Sequence, residues 1–432
     1  MTTPQVSQAD KNLWQAYGVK VKNTFAQSNT VDDNNRLYIA PLSSAGIAAG
    51  KNINSAITNN GVYTIGDTLL SLDEPVFIPS RRSYFQRCLS YANSVDLHSN
   101  NNTGAQKQEV TAQITNDSFA QWCIQNYPQL AQAQNTSDAA TAAAAAASAS
   151  MDGPNASLVG QYQSRLNAAN GTTAIPGVTM TCSSAATDQK TSGQAGTPPG
   201  SYQRPAYTIA AQYPQTVDSW IQTFPQDSKK PTTITFKASD ASSSSWQELG
   251  YSNDTVQVTG SYSIFFSATY TENGATVTKN VTAEEAGADL EVTITATHAQ
   301  SFAITPGSWN PSELAGMPIV ANADPNLSKP MAFVTQAVLA YGVGMEVKLS
   351  SSAASTINNY LDQARQRKGS ASIFGFNIGL GGDASSTQTL IANFDQVKSA
   401  SSGTGFTIPP SDNAYPTLLG VFGQAIPLPK SS

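Results

Sequence analysis

The stretch Thr255–Ile304, TVQVTGSYSIFFSATYTENGATVTKNVTAEEAGADLEVTITATHAQSFAI, carries the clearest structural pattern of the chain. From Val256 to Tyr270 apolar residues occupy alternate positions, and Gly260 keeps the phase. Successive side chains of a strand point to opposite faces, so strict alternation predicts a strand with one buried face. The stretch therefore predicts a sheet that packs on one side only.

A hairpin turn follows this first strand. Asn273 and Gly274 are typical of a two-residue type I′ turn, because both central residues of that turn need positive φ. The turn sets four opposed pairs, three of them apolar on both sides. The predicted pairs are Tyr270 with Val277, Ala268 with Lys279, Phe266 with Val281, and Ile264 with Ala283.

A third strand is predicted after the hairpin. Its apolar side is Leu290, Val292, Ile294 and Ala296, and its other side is Glu291, Thr293, Thr295 and Thr297. Phe302 and Ile304 continue the pattern until Pro306 and Gly307 end it. We predict that all three strands form one twisted antiparallel sheet, with one packed face and one wet, Thr/Ser-rich face.

Other segments carry weaker patterns. Ser7 and Asp10 are typical of a helix start, and Leu13, Tyr17 and Val21 then form an apolar stripe. Further predictions are a helix after Ser80, strands or loops over Tyr38–Ala49 and Gly61–Leu72, a helix between Val110 and Cys123, one or two buried strands over Ala332–Leu349, a helix over Ser350–Lys368, and late strands over Phe374–Leu380 and Leu418–Ile426.

Together these patterns predict an α+β fold. A mostly helical N-terminal part with an Ala-rich helical segment precedes a predominantly antiparallel, sandwich-like β part. The predicted divisions are a mixed region over 1–130, the Ala-rich segment over 131–184, a Gly/Pro/Ser linker over 185–201, and a β-rich region over 202–432 with its sheet centred on 255–304.

The Ala-rich segment allows two interpretations. Asp138–Ser150 contains the unbroken run Ala142–Ala147, and alanine has the highest helix propensity. A close-packed helical pair is favoured, because Ala lets two helices approach each other. The alternative is a mobile or membrane-active arm.

Composition narrows the classes of function. Charged residues make up 12% of the 432 residues, against about 25% in an ordinary soluble domain. Such a surface depends on neutral hydrogen bonding and resists self-association weakly. The net charge of −6 and the scattered basic residues argue against a nucleic-acid partner.

Cysteine usage and the N-terminus give no sign of secretion. Cys88, Cys123 and Cys182 are far apart and predict neither a disulfide framework nor a zinc site. No basic region followed by an apolar core precedes the first predicted helix, so we expect a cytoplasmic protein or release without a classical signal peptide. The most apolar window, Met331–Leu349, is interrupted by Gln336 and Glu346, which argues against a spanning helix.

Templates for catalysis fail along the whole chain. The histidines are His98 and His298, and neither has an adjacent partner for catalysis. Glu284 and Glu285, if placed on a strand, would point to opposite faces and would not share a substrate. Asp289 and Glu291, the dyad Gly342 and Gly344, and the glycines Gly375, Gly379, Gly381 and Gly382 also match no catalytic or phosphate-binding motif. No catalytic, metal or cofactor-binding residue and no cofactor is predicted, and the balance is against an enzyme.

Three groups of residues have both a structural and a functional interpretation. The first is an aromatic cluster in the sequence, for which packing in the core is favoured over a sugar platform; it consists of Tyr202, Tyr207, Tyr213 and Trp220. Arg365, Arg367 and Lys368 favour a role at a helix C-terminus over an anion site. The Tyr262–Thr282 hairpin favours a water-soluble sheet, because Lys279 in its apolar column would cost about 2–4 kcal/mol in a bilayer.

The leading hypothesis is a non-enzymatic β-rich protein that binds or self-assembles through a neutral Ser/Thr/Asn-rich surface. Its partners would be a second copy of the chain or, in a lectin-like variant, neutral glycans. One alternative is a toxin-like protein that acts on membranes through the Ala-rich segment or the hairpin. Another is a glycan hydrolase whose carboxylates converge from distant positions, at about 5–9 Å.

Overall fold

The computed structural model describes residues 7–42, 44, 46–51, 53, 55–79, 82–95, 161, 179–180, 202–203, 205–227, 229–242, 245–252, 256, 264–307, 309–379, 391–399, 404–410 and 416–429. The predicted Ala-rich segment, linker and Val110–Cys123 helix lie almost entirely outside these residues. The division of the chain at positions 131, 185 and 202 therefore stays a prediction.

Helices dominate the start of the described chain and strands dominate the rest. The α-helices are α1 (Gln8–Phe25), α2 (Ser55–Gly66), α3 (Tyr84–Ser94), α4 (Tyr213–Asp227), α5 (Ser245–Glu248), α6 (Ala283–Ala286) and α7 (Ser351–Gln366). The strands are β1 (Asn35–Ile39), β2 (Leu69–Ser71), β3 (Thr179–Met180), β4 (Tyr202–Gln203), β5 (Tyr207–Ile209), β6 (Thr232–Phe236), β7 (Ile264–Glu272), β8 (Ala275–Thr282), β9 (Glu291–Ala296), β10 (His298–Pro306), β11 (Met331–Tyr341), β12 (Gly344–Lys348), β13 (Ser370–Ile373), β14 (Phe376–Gly379), β15 (Ile391–Asn393), β16 (Lys398–Ser399), β17 (Gly405–Ile408) and β18 (Thr417–Ala425).

The strands form three main sheets. The first has the order β1-β18-β11-β10-β5, with β2 paired to β11; the second is β16-β17-β12-β9-β6; the third is β15-β14-β13-β7-β8. Their pairings are antiparallel apart from β14 with β15. The α+β class predicted from the sequence is confirmed.

The predicted hairpin is present, with one correction. Strands β7 and β8 flank Asn273 (φ 51°) and Gly274 (φ 80°), the two positive φ values of a type I′ turn. Three of the four predicted pairs are confirmed, but Ile264 lies opposite Thr282 instead of Ala283. The register shifts beside Phe265, and this irregularity allows Phe265 and Phe266 to be buried together.

The prediction that the third strand joins the hairpin sheet is wrong. Strand β9 alternates as expected, with Val292, Ile294 and Ala296 fully buried, but it pairs with β6 and β12 in the second sheet. The chain leaves the third sheet through the short helix α6 and then Gly287 (φ 90°). That helix and turn separate β9 from the hairpin.

Two neighbouring strands bend at the junction of the first and second sheets and belong to both. Strand β9 of the second sheet continues as β10 of the first across Thr297, and β11, the partner of β10, continues as β12, the partner of β9, across Gly342 and Val343. Gly342 has φ +60°, and a Cβ there would collide with Thr297 and Phe224. A glycine at this position therefore allows the bend between β11 and β12.

An aromatic cluster lies in the core of the larger compact unit. This unit comprises Met1–Tyr84, Pro176–Gly307 and Pro330–Ile426. Trp14 and Tyr17 of α1 contact Phe374 with ring-centroid distances of 4.4 and 5.2 Å, and Tyr17 lies 5.3 Å from Phe236. The predicted stripe of α1 is the face that supplies these rings.

One prediction near the N-terminus is wrong in part. Residues 61–66, predicted to be strand or loop, belong to helix α2, whereas Leu69–Ser71 in the same predicted range is strand β2. Gly66 packs so closely on the ring of Tyr207 that a Cβ would lie 2.7 Å from it. Close packing of this kind overrides the low helix propensity of glycine.

The second compact unit is Phe85–Ile175, Ser308–Lys329 and Pro427–Ser432, of which residues 85–95, 161, 309–329 and 427–429 are described. Phe85 packs edge-on against Trp309 with ring centroids 5.0 Å apart. Arg87 donates hydrogen bonds to the carbonyl oxygens of Asn326 and Leu327 at 2.6 and 2.8 Å. These contacts hold α3 against a short 3₁₀ helix.

Candidate functional site

One face of the third sheet is built from neutral polar side chains, and we call it the neutral face. Cross-strand register places Ser267, Thr269 and Thr271 of β7 opposite Asn280, Thr278 and Thr276 of β8. On the other side of β7, Ser370 and Ser372 pair with Thr269 and Ser267, and Asn377 pairs with Ser372. Side chains directly opposite one another project to the same side of a sheet.

The neutral face is accessible to solvent. The exposed members are Thr271, Thr276, Thr278, Asn280 and Ser370, and the partly exposed members are Ser267, Thr269, Ser372 and Asn377. The hydroxyl oxygens of Thr269 and Thr278 lie 3.3 Å apart across the strands. Nine hydroxyl and amide side chains thus form one surface that can donate and accept hydrogen bonds without charge.

The opposite side of the same sheet is packed. Phe266, Ala268, Tyr270, Ala371 and Ile373 are buried there. Helix α7 covers this side: Tyr360 stacks with Phe266, and the Tyr270 hydroxyl donates to Oε1 of Gln363 at 2.5 Å. The core fixes the sheet from behind and leaves the neutral face outward.

Strand β8 is the last described strand of this sheet. Ala275, Thr276, Thr278, Lys279 and Asn280 are all exposed, and among the described strands only β7 pairs with β8. A sheet edge presents backbone N–H and C=O groups that can accept another strand. Within the described part of the chain, the neutral face therefore ends at an open backbone edge.

No protein-family model, curated protein or solved structure matches this chain. What the neutral face can bind must therefore be inferred from the chemistry of its own side chains. Hydroxyl and amide groups suit neutral hydrogen-bonding partners, whether a like surface or a sugar.

One ion pair lies on the packed side of the third sheet, at the turn end of the hairpin. Nη2 of Arg367 lies 2.6 Å from Oε1 of Glu272, and the guanidinium sits 4.8 Å from the centroid of the Tyr270 ring. Arg365, from the same predicted cation group, donates to the Phe394 carbonyl at 2.6 Å. Both arginines are engaged by groups of their own chain.

The second sheet carries charges on its outer side instead. Oε1 of Glu291 lies 2.7 Å from Nζ of Lys348, and Oε2 lies 3.1 Å from Nζ of Lys237. The hydrogen bond from Lys348, followed by that from Lys237, lowers the pKa of the Glu291 carboxyl. The two lysines therefore favour the ionised form of this carboxyl group.

The strand placement assumed for Glu284 and Glu285 is wrong. Both lie in helix α6, because Thr282 caps that helix and Glu285 completes a capping box. Oε2 of Glu285 accepts the backbone N–H of Thr282 at 2.8 Å. Glu285 therefore serves the start of a helix.

His298 has partners that its neighbours in sequence did not reveal. Its Nε2 lies 3.0 Å from Oδ2 of Asp227 and 3.0 Å from Oγ1 of Thr223, and its ring stacks on Trp220 at 5.8 Å. Both polar contacts engage the same ring nitrogen. A catalytic triad uses the two nitrogens separately, one for the nucleophile and one for the orienting acid.

Three of the four aromatic residues named as a possible sugar platform are buried, and the side chain of the fourth, Tyr202, is not described. Tyr207, Tyr213 and Trp220 are 7%, 0% and 6% exposed. The Tyr207 hydroxyl donates to Asp67 at 2.7 Å, and Tyr213 stacks edge-on with Phe302. Their rings therefore belong to the core, and a sugar could not stack on them.

The remaining chemical candidates are few within the described ranges. No group of three His, Cys, Asp or Glu side chains there could hold a metal ion, and no described helix is both long and apolar enough to cross a membrane. Cys88 is buried, whereas His98, Cys123 and Cys182 lie outside the described residues. Gly375 lies in a tight turn with φ +78°, and Gly381 and Gly382 are not described.

A cavity of about 300 Å³ opens beside α7. Leu361, Phe394 and Phe406 give it an apolar floor, and Asp362 and Lys398 lie among its polar lining. Its size is at the lower end of ligand pockets. The mixed charges of its lining do not define one ligand class.

Sequence reasoning predicted only part of the neutral face. The alternation of β7 and β8 placed Thr and Ser on a wet face, but Ser370, Ser372 and Asn377 were missed. They join the face because β13 pairs with β7 across a long stretch of sequence. The sequence does carry a signal for β13, because the polar residues Ser370 and Ser372 alternate with the apolar residues Ala371 and Ile373. This alternation covers only four residues, so it predicts a strand weakly.

Proposed function

We propose that this chain is a non-enzymatic protein that acts by binding or self-assembly through the neutral face. The observation that carries the proposal is the set of nine uncharged polar side chains on one accessible side of the third sheet. Only 12% of the whole chain is charged, so the surrounding surface opposes association weakly.

The chemistry of the face favours a neutral partner. An anionic partner such as nucleic acid calls for clustered lysine and arginine, whereas this face has hydroxyls and amides only. A second copy of the chain offers the same hydrogen-bonding groups. A neutral glycan would be held mainly by hydrogen bonds, since the rings of Tyr207, Tyr213 and Trp220 are in the core.

The first test is the mass of the protein in solution by light scattering after size exclusion, over a range of protein concentrations. We expect the mass to rise with concentration, and the double variant Thr278→Glu with Ser370→Glu to stay monomeric because each copy would bring like charges together. Thr233→Glu, at an exposed position of β6 in the second sheet, is the matched control and should behave as the wild type.

A glycan array run in parallel tests the other class of neutral partner. Binding that the double variant loses and Thr233→Glu retains would support the neutral face as the site. A wild-type protein that is monomeric at every concentration and binds no glycan would sink the proposal.

A further inference from the structure

We propose that strand β8 pairs antiparallel with β8 of a second copy of this chain, around a two-fold axis at Thr278. This inference rests on the proposed function, since it names a second copy as the partner and places the contact at the sheet edge where the neutral face ends. Paired strands related by a two-fold axis form a closed, self-complementary dimer interface.

The hairpin geometry determines which backbone groups of β8 face outward. In a two-residue hairpin the residues that flank the turn bond to each other, and bonded and non-bonded pairs then alternate along the ladder. Glu272 and Ala275 flank this turn, so Ala275, Val277 and Lys279 direct their N–H and C=O groups toward β7. Thr276, Thr278 and Asn280 direct theirs to the open edge.

The outward row has its centre at Thr278. A two-fold axis there pairs Thr278 with its own copy and Thr276 with Asn280 of the second copy, so three residues of each chain supply the ladder bonds. Val277 then lies opposite Lys279 of the second copy. This register pairs Ala275 to Val281 of each copy, which is all of β8 except Thr282.

The lysine of β8 discriminates among registers. An axis at Lys279 would bring two ammonium groups directly opposite each other, which is destabilising. An axis at Val277 avoids that clash but overlaps fewer residues of β8. Lysine on an edge strand commonly blocks unwanted pairing, and Lys279 here leaves the Thr278 register as the longest one free of like charges.

Pairing in this way would also join the two neutral faces. Residues opposite one another in a sheet project to the same side, so the face of one copy would continue across the axis into the face of the other. The two five-stranded sheets would become one sheet with a doubled neutral surface. Assembly at the edge thus enlarges the surface on which the proposed function depends.

Disulfide trapping tests the register directly. Across a bonded antiparallel pair the Cα atoms lie about 5.5 Å apart, within disulfide range. The full-length variant Thr278→Cys should give a disulfide-linked dimer under mild oxidation, with the 278–278 bond identified by peptide mass spectrometry. Thr276→Cys is the control, because its two copies would be four residues out of register, about 14 Å apart, and should not link.

A backbone variant tests the edge without relying on the cysteine. Thr278→Pro removes an outward N–H that the hairpin itself does not use, and proline is tolerated on edge strands. We expect it to be folded by circular dichroism but monomeric by light scattering, whereas Thr278→Ala, which keeps the N–H, dimerises.

The outcomes separate this inference from the function on which it rests. A 278–278 bond together with a monomeric Thr278→Pro supports the pairing. If the wild type assembles or binds glycan through the neutral face but forms no 278–278 bond, the strand pairing is overturned and the proposed function stands. A wild type that neither assembles nor binds glycan overturns both.

Discussion

Oδ1 of Asp10 accepts a hydrogen bond from the backbone N–H of Ala283 at 2.8 Å, although the two residues are 273 positions apart. Ala283 is the first residue of α6, where backbone N–H groups have no partner inside the helix. Oδ2 of the same carboxylate accepts a hydrogen bond from Ser7, the N-cap of α1, at 2.5 Å. A single carboxyl group, 2% exposed, therefore serves the starts of two helices.

The buried Asp10 makes the stability of the protein depend on pH in one direction. Burial raises its pKa above the ordinary value, against the opposing hydrogen bonds from Ser7 and Ala283. When the pKa of a group is higher in the folded protein than in the unfolded chain, the group adds to the free energy of unfolding. This added stability is complete below the pKa of the unfolded chain and is lost as pH rises through the pKa of the folded protein. Relative to Asp10→Asn, which does not titrate, the wild type should lose stability from acidic to neutral pH in urea unfolding.

The control for that titration is Asp10→Ala. It leaves the Ala283 N–H without its acceptor, and relative to Asp10→Asn, which keeps an acceptor oxygen and does not titrate either, it should cost about 1–3 kcal/mol at every pH. A difference between wild type and Asp10→Asn that stays constant from pH 3 to pH 7 would contradict the raised pKa.

Glu291 should show the opposite pH dependence. Lys348 and then Lys237 lower its pKa, so its contribution is present above the unfolded pKa and is lost as pH falls through the folded pKa. Wild type should exceed Glu291→Gln in melting temperature at pH 7, and the gap should close in acid. Because the lysines are partly exposed, added salt should narrow the gap at pH 7; a gap that is insensitive to both pH and salt would refute this account.

Local signals in the sequence predicted local structure well. The Asn273–Gly274 turn, the alternation of Val292 and Ile294, and the cap and stripe of α1 each depend on neighbours a few positions away. Helix α4 had such a signal too, since Tyr213, Val217 and Trp220 recur at helical spacing and are buried. Tyr213 and Trp220 also belong to an aromatic cluster in the sequence, and the packing predicted for that cluster does not by itself specify a helix.

The distribution of strands among sheets could not be predicted in this way. Val292 pairs with Val347 and Thr269 with Ser370, and nothing near either residue specifies its distant partner. The irregularity beside Phe265 likewise arises from burial of two neighbouring rings in one core. Hence the Thr-rich half of the neutral face was predicted from β7 and β8, whereas the serines of β13 were found only in the structure.

Gly274 isolates the backbone contribution of the hairpin turn. It has φ +80°, and a Cβ at this position would meet no atom within 4 Å. Gly274→Ala should therefore cost about 1–2 kcal/mol through the left-handed backbone alone. Asn273→Gly, at φ 51°, is the matched control and should not destabilise the protein to that extent in urea unfolding; equal losses from both variants would mean that the turn does not hold its positive φ values.

Phe374 is a bulky residue held in the left-handed region. Its φ is 47°, it is 1% exposed, and its ring stacks on Trp14 at 4.4 Å. Together with Gly375 it forms the tight turn between β13 and β14, where Ile373 pairs with Phe376. Packing of the ring therefore holds a backbone conformation that costs roughly 1–2 kcal/mol for a residue with a Cβ.

Two truncations of Phe374 should reveal that strain. Phe374→Ala should cost about 3–5 kcal/mol through loss of the buried ring. Phe374→Gly removes the same ring but also relieves the backbone, so it should be the more stable of the two by about 1 kcal/mol.

Phe376 is the control, because it is fully buried in β14 and is absent from the positive-φ residues. At this position Phe376→Gly should be less stable than Phe376→Ala by about 0.5–1 kcal/mol, the usual cost of glycine in a strand. Urea unfolding of the four variants decides the matter, because the same order of Gly and Ala at both sites would show that Phe374 carries no left-handed strain.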